Sequence, residues 1–401
     1  MMRVLITDGN ERSSLAVTRA LGAEGINVVV GAETDRSLAG SSRYCNKRFR
    51  YPSAYTEPKG FIDALIAGIR QEHVDFIIPI SDMAMQLIAD RRDEFPEKAT
   101  RPMPDQATYE TVSDKFRLSK MAGELGVPIP DTVFVENGRL PTSCSSAGMF
   151  PLIVKPAKSR TKVDGNWVAT NVHRVSNRED LERLFGEVRY LSQNSLIQRI
   201  IEGEGQGIFA LFDRGAPLAL FAHRRIREKP PAGGVSVLRE SIKLPKEMAD
   251  YAVRLLTQVA WHGVAMVEFK IERSTGIPYL MEINGRFWGS LQLAIDAGMN
   301  FPALLMKLAS GKRFETDLSK YRIGTKSRWL LGDLDHLLAR IRKSDRDLNL
   351  PSDYPSRWAC VKEFCRLFDK NTFYEVERWS DRGPGYFEWA HYLSTLMRGS
   401  V

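Results

Sequence analysis

Cysteine is scarce: Cys45, Cys144, Cys360 and Cys365 are the only four in 401 residues, with no Cys-x-x-Cys pair and no histidines nearby at zinc spacing. A disulfide framework and a structural zinc site are thereby excluded, and the usage suits a reducing, cytoplasmic setting. Long apolar runs are missing too. No segment reaches the ~18–20 consecutive apolar residues that a membrane span requires. The opening Met-Met-Arg-Val-Leu-Ile-Thr-Asp-Gly turns polar too early for a secretory signal and reads instead as a first β-strand. The first turn, Asp-Gly-Asn-Glu-Arg-Ser-Ser, has no Gly-x-Gly-x-x-Gly, so NAD binding is not expected. Histidines number six; His223 and His262 fall at element ends, and no Ser/His/Asp or Cys/His arrangement is legible. The net charge of +8 is dispersed without an aromatic-interleaved basic motif, which argues against nucleic acid and is equally suited to small anionic ligands.

What remains is a chain that is 43% hydrophobic and 26% charged, long enough for two or three domains. Apolar strands at 3–8, 26–31 and 76–80 alternate with helical patterns at 14–24 and 61–72, the signature of a parallel sheet with crossover helices. Pro102-Met-Pro104 marks a boundary. A helix opens at Ser113-Asp114, either of which could cap it, and runs to Gly126. Strands are expected at 132–136, 151–156 and 195–200, with a polar, basic loop at 157–166 and a helix at 177–190. Glycines at 203, 205 and 207 suggest a flexible turn at 202–207 before strands at 208–213 and 217–223. A basic stretch at 224–234 and a helix at 246–262 follow.

Residues 264–290 concentrate the chemistry. Apolar residues surround Glu268, and Tyr279-Leu-Met281 leads into Glu282, with a polar turn at 272–277 between. Two paired strands would set Glu268 and Glu282 side by side, with Asn284 and Arg286 continuing on the same face. Two carboxylates and an amide oxygen make a hard, oxygen-only site suited to Mg²⁺ that is also held by phosphates. Singly, each of these polar residues would be an ordinary solvated side chain; four on one side of two apolar strands are not.

Asp114-Lys115, Ile153-Val-Lys155-Pro, Ile197-Gln-Arg-Ile-Ile201, Val267-Glu-Phe269 and Met281-Glu-Ile-Asn-Gly-Arg286, in this order, resemble the ATP-grasp superfamily over about residues 1–310. Val-Glu-Phe-Lys270 with Glu-Ile-Asn-Gly-Arg-Phe-Trp288-Gly-Ser is similar to a bacterial branch of predicted ATP-grasp carboligases. The resemblance implies an α/β and α+β fold: a pre-ATP-grasp parallel-sheet domain (1–105), a small lid subdomain with its linker helix (106–195), a large α+β subdomain bearing the metal site (196–315) and a helical or irregular C-terminal extension (316–401). It implies ATP with two Mg²⁺ ions (Mn²⁺ as the alternative) held by Glu268, Glu282 and Asn284. Lys115 and Lys155 would contact phosphates. Gln198 and the backbone of Arg199, Ile200 and Ile201 would meet the adenine, and Glu204 or Gln206 the ribose. Arg286 would stabilise the acyl-phosphate side, with Lys155 and Arg239 also serving the reaction.

The expected activity is an ADP-forming carboxylate–amine ligase acting on small molecules, with a homodimer as an open option. The alternatives are a bicarbonate-using carboxyphosphate or carbamoyl-phosphate enzyme and a non-catalytic nucleotide-binding regulator. No Ala-Met-Lys-Met segment that would carry biotin is present. Arg225, Arg227 and Arg239 are the candidate contacts to the acid. Lys158, Arg160 and Lys162 could cover the phosphates or form a solvated loop, and Lys270 and Trp288 read as packing or positioning residues.

Overall fold

The computed structural model describes residues 2–141, 150–312, 320–351 and 353–398. The chain begins with β1 (Arg3–Ile6), α1 (Arg12–Ala23), β2 (Asn27–Ala32), β3 (Lys47–Arg50), α2 (Pro58–Gln71), β4 (Phe76–Ile78) and α3 (Asp82–Asp90). The four strands form a parallel sheet in the order β3-β2-β1-β4. Val4–Ile6, Val28–Val30 and Phe76–Ile78 are buried throughout, as strands covered on both faces must be. The edge strand β3, Lys-Arg-Phe-Arg, has none of that apolar signal and escapes a sequence reading. Ser81 caps α3 by accepting from the Ala84 N–H (3.1 Å), which sets Asp82 in the helix's first turn.

The next helical stretch is two helices, α4 (Gln106–Ser113) and α5 (Lys115–Glu124). Between them Asp114 is extended, and its carboxylate accepts from the N–H groups of Phe116 (2.9 Å) and Arg117 (3.1 Å). Asp114 is therefore the cap, and Lys115 the first helical residue. Then come β5 (Thr132–Val135), β6 (Leu152–Pro156), β7 (Arg160–Val163), β8 (Asn166–Ala169), β9 (His173–Val175), α6 (Arg178–Glu187) and β10 (Ser195–Arg199). β5, β10, β6 and β9 make a four-stranded antiparallel sheet in that order, with Val135, Leu152, Val154, Leu181 and Ile197 in its core. The segment expected as an irregular loop at 157–166 instead begins a hairpin, β7–β8. Its turn residues Asp164 and Gly165 both have positive φ (51° and 82°), the arrangement Asp-Gly favours between paired strands.

The rest of the chain is built on one large sheet. Its elements are β11 (Gly203–Asp213), β12 (Ala216–Lys229), β13 (Val235–Ser241), α7 (Lys246–Gln258), β14 (Gly263–Glu272), β15 (Pro278–Asn284), α8 (Leu291–Asp296), α9 (Phe301–Ala309), β16 (Lys326–Arg328), α10 (Leu330–Arg342), α11 (Arg357–Phe364), β17 (Thr372–Tyr374) and α12 (Gly383–Met397). The strand order is β15-β14-β11-β12-β13-β16-β17. Residues 203–207, expected as a turn, are the first part of β11, and β12 carries the basic stretch as far as Lys229. The C-terminal segment does more than add helices: β16 pairs with β13 and β17 with β16, extending the central sheet. Phe209, Phe221, Trp288 and Phe301 belong to a core shared by this sheet, β1 and α1.

Candidate active site

Strand register lines up the residues that face the main cleft. Glu282 on β15 stands opposite Glu268 on β14, Glu268 opposite Gly207 on β11, and Gly207 opposite His223 on β12. Two residues along, Lys270 is opposite Gly205, and Arg225 is opposite Arg239 on β13. Glycine at 205 leaves space for Arg225 to cross the row; a Cβ there would lie 3.0 Å from Arg225 Cδ. The cleft has a volume of about 770 Å³ and is lined by Lys115, Lys155, Gln198 to Ile201, Arg239, Glu268, Glu282, Asn284 and Arg286.

Charges within it are closely matched. Asn284 Nδ2 donates to Glu268 Oε1 (3.2 Å) and Glu282 Oε1 (3.1 Å), so one amide touches both carboxylates. Lys115 Nζ lies 3.1 Å from Glu282 Oε2 and donates to Ser159 Oγ (2.9 Å). Lys115 holds the Glu282 carboxyl down at about 2, against the opposing effect of burial. Glu268 moves the other way: burial raises it, although Arg225 pairs with it. Lys155, on β6, is lowered to about 8 by burial, an effect partly offset by Glu282. Arg286 makes a two-pronged contact with Asp82 (2.7 and 3.0 Å) and donates to Asn284 Oδ1 (3.3 Å). A chain of polar contacts thus runs from α3 through Arg286 and Asn284 to both glutamates.

At the other end Gln198 is buried on β10 and donates to Thr132 Oγ1 (2.9 Å). Arg199 lies over Tyr279 (5.4 Å) and bonds Glu272 (2.5 Å) and Asp131 (3.1 Å). Strand β10 belongs to the four-stranded antiparallel sheet, pairing with β5 and β6, rather than opening the large sheet.

Two expectations need correction. Glu204 and Gln206 do not line the cleft: they pair with Ile271 and Phe269 and so alternate onto the opposite face from Gly205 and Gly207, where Gln206 bonds Glu204 (3.1 Å). Arg227 is not a cleft residue either. Its guanidinium makes two 2.7 Å bonds to buried Asp333 of α10. Arg239 lines the cleft but is fully buried and already paired with Glu375 from the C-terminal segment. Of the three loop cations, Arg160 meets Tyr55, Lys162 lies over Trp167 (5.2 Å), and Lys158 flanks a smaller recess shared with Lys115, Asp82 and Glu282. Asp82, Glu11 and Arg12 are additions that sequence reasoning missed. The cue was available: parallel sheets place functional side chains where strands end and helices begin.

Among the described residues no group of three or more His, Cys, Asp or Glu is placed to hold a metal ion. The facing carboxylates of Glu268 and Glu282 both accept from Asn284 Nδ2, whose Oδ1 accepts from Arg286.

Residues 194–330 match the family described as ATP-grasp in the biosynthetic pathway with Ter operon. No curated protein matches the chain in sequence. Solved structures similar to it include the biotin carboxylase–βγ-ATP complex of Campylobacter jejuni, with TM-score 0.62 and 14% identity, covering 81% of this chain and 74% of that one. The L-amino acid ligase of Bacillus licheniformis aligns with TM-score 0.61 and 16% identity, over 81% and 78%. The biotin carboxylase domain of Hydrogenobacter thermophilus 2-oxoglutarate carboxylase, in complex with MgADP, ADP and bicarbonate, gives TM-score 0.60 and 14% identity, over 81% and 73%. Together with the sheet order, these likenesses show that the chain has the ATP-grasp fold.

Proposed function

We propose, from the ATP-grasp fold and the residues gathered in its cleft, that this protein is an ATP-dependent, ADP-forming carboxylate–amine ligase. A carboxylate oxygen would take the γ-phosphoryl group, giving an acyl phosphate and ADP. An amine nitrogen then attacks the acyl carbon, phosphate leaves, and the amine loses a proton. The observation that carries this reading is the facing pair Glu268–Glu282, bridged by Asn284 and flanked by Lys115.

The two carboxylates fit Mg²⁺: both lie within 3.2 Å of Asn284 Nδ2, where that amide, turned over, would offer Oδ1 to the same cation, and the remaining positions suit phosphate oxygens. Glu268, Glu282 and Asn284 would hold two Mg²⁺ ions, or Mn²⁺ in their place. When bound, the cations would neutralise charge on the transferring phosphoryl group. Lys115 and Lys155 would hold the triphosphate by direct charge. Gln198 and the backbone of Arg199, Ile200 and Ile201 would receive the adenine. Arg286, fixed by Asp82, presents a preset cation where acyl-phosphate charge develops, which needs no reorganisation during the reaction.

A cleft of about 770 Å³ favours an organic acid over bicarbonate as acceptor. We place the enzyme in the cytoplasm, as the free Cys45, Cys360 and Cys365 suit, and leave a homodimer within the proposal. Among the described residues no helix is long and apolar enough to cross a membrane.

The test is ADP release from ATP and Mg²⁺ with paired carboxylic acids and amines. Acid-dependent release, lost on Glu282→Gln by about 100-fold or more as removal of an electrostatic stabiliser implies, is the expected result. Release driven by bicarbonate alone would overturn the choice of acceptor, and a folded protein that binds no ATP would overturn the enzyme reading.

A further inference from the structure

Beyond Glu268, across β11, the cleft has a second polar region whose hydrogen bonding is incomplete. His223 Nδ1, Arg239 Nε and Trp288 Nε1 are all buried, and none has a hydrogen-bond partner among the described residues. All three residues line the same cleft as Glu268 and Glu282. They are neighbours: Phe209 is in ring contact with both His223 (4.4 Å) and Trp288 (4.6 Å), and Arg239 faces Arg225, two residues along β12 from His223. Burying a donor without a partner is costly, so three together ask for a common acceptor.

Their chemistry defines that acceptor. Trp288 Nε1 and Arg239 Nε can only donate, and a neutral imidazole can donate from Nδ1. His223 is held neutral, its pKa well below the usual value, by burial and then by Arg225 and Arg239. Three donors, one of them cationic, match an anionic oxygen group. Arg239 meets Glu375 through Nη2 and the Ser236 carbonyl through Nη1, which leaves its Nε as the donor to fill, whereas Arg225 and Arg286 are engaged with Glu268 and Glu228, and with Asp82.

Position completes the argument. His223 and Glu268 are separated by β11 alone, two strand spacings or about 10 Å between backbones. A one-carbon acid reacting beside Glu268 and Glu282 cannot also reach these donors. We propose that the acceptor acid carries a second anionic group, a carboxylate in the simplest case, which His223, Arg239 and Trp288 bind while its other carboxylate is phosphorylated. This rests on the ligase reading above and narrows its substrate to diacids or comparably dianionic acids.

The experiment compares chain-matched mono- and dicarboxylic acids, and bicarbonate, in ADP release by the full-length protein, with binding of a non-hydrolysable ATP analogue followed in parallel. Dicarboxylates of suitable length are expected to exceed their monocarboxylate partners in kcat/KM by about tenfold or more, the scale of a hydrogen bond to a charged group. Trp288→Phe and, separately, Arg239→Lys should shrink that ratio and leave analogue binding intact. Equal kcat/KM for the two series, or variants that lower both series alike, overturns the second-anion site and leaves the ligase reading standing. Turnover with bicarbonate alone, or analogue binding with no acid-dependent release, overturns both.

Discussion

Two carboxylates on neighbouring strands are driven apart in proton affinity by what lies beside each. Lys115 keeps Glu282 ionised down to about pH 2, whereas burial works on Glu268 in the opposite sense and leaves it dependent on Arg225. Lys155 has no ion pair among the described residues and touches Met281 Sδ (3.8 Å), so burial, partly offset by Glu282, brings it to about 8. A triphosphate beside it would favour the ammonium form and raise that value again. ATP binding near pH 8.5 should therefore take up a proton, because the free protein holds Lys155 largely neutral there and the complex holds it charged. Near pH 6.5 both states are charged and the uptake should vanish. Calorimetry in buffers of differing ionisation enthalpy measures this directly, and Lys155→Met should abolish the pH 8.5 signal. An unchanged signal in that variant would assign the proton elsewhere.

At the scale of elements, glycine is where sequence and structure part most instructively. Gly203, Gly205 and Gly207 look like a turn because glycine is the usual turn residue. Here they lie within β11, since a Cβ at 203 would run into the Ile271 carbonyl and one at 205 would press on Arg225. Close approach, not flexibility, is their reason, and only the paired structure reveals the neighbour. The same misreading displaced Glu204 and Gln206: as turn residues they could point anywhere, but as strand residues their alternation sends them to the far face. The strands that carry Glu268 and Glu282 are legible because their apolar flanks and polar turn are local signals. Strands such as Lys326–Arg328 were not, because three polar residues become a strand only through their partners.

Gly285 gives this a measurable form. It separates Asn284 from Arg286, and a Cβ there would overlap the buried ring of Trp261, coming within 2.9 Å of Cζ2. Gly285→Ala should cost about 1–3 kcal/mol in urea unfolding, as overpacking does. It should also lower phosphoryl transfer more than nucleotide binding, since Asn284 and Arg286 flank the displaced backbone. A variant with wild-type stability would show that the Trp261 ring yields freely.

For the whole molecule, the decisive contacts tie the C-terminal segment to the N-terminal sheet. Asp381 accepts from Arg19 Nε (2.7 Å), Ser42 Oγ (2.7 Å) and the Arg43 N–H (2.8 Å), while Glu375 pairs with both Arg12 and Arg239. Arg378 reaches half-buried Asp296. These links make the last residues part of the framework around the cleft, since Arg12 and Arg239 line it. Burial decides how much each contributes. Asp381 and Arg19 are 3% and 8% exposed, so Asp381→Ala leaves a buried guanidinium without its counter-charge, a loss of about 3–5 kcal/mol. The Arg189–Asp164 pair is also close, but its side chains are 77% and 69% exposed, and water and salt already screen it. Urea unfolding should therefore show a large drop in midpoint for Asp381→Ala and no measurable change for Arg189→Ala. If the C-terminal segment were instead a loosely attached appendage, Asp381→Ala would behave like Arg189→Ala, and acid-dependent turnover would be equally indifferent to both.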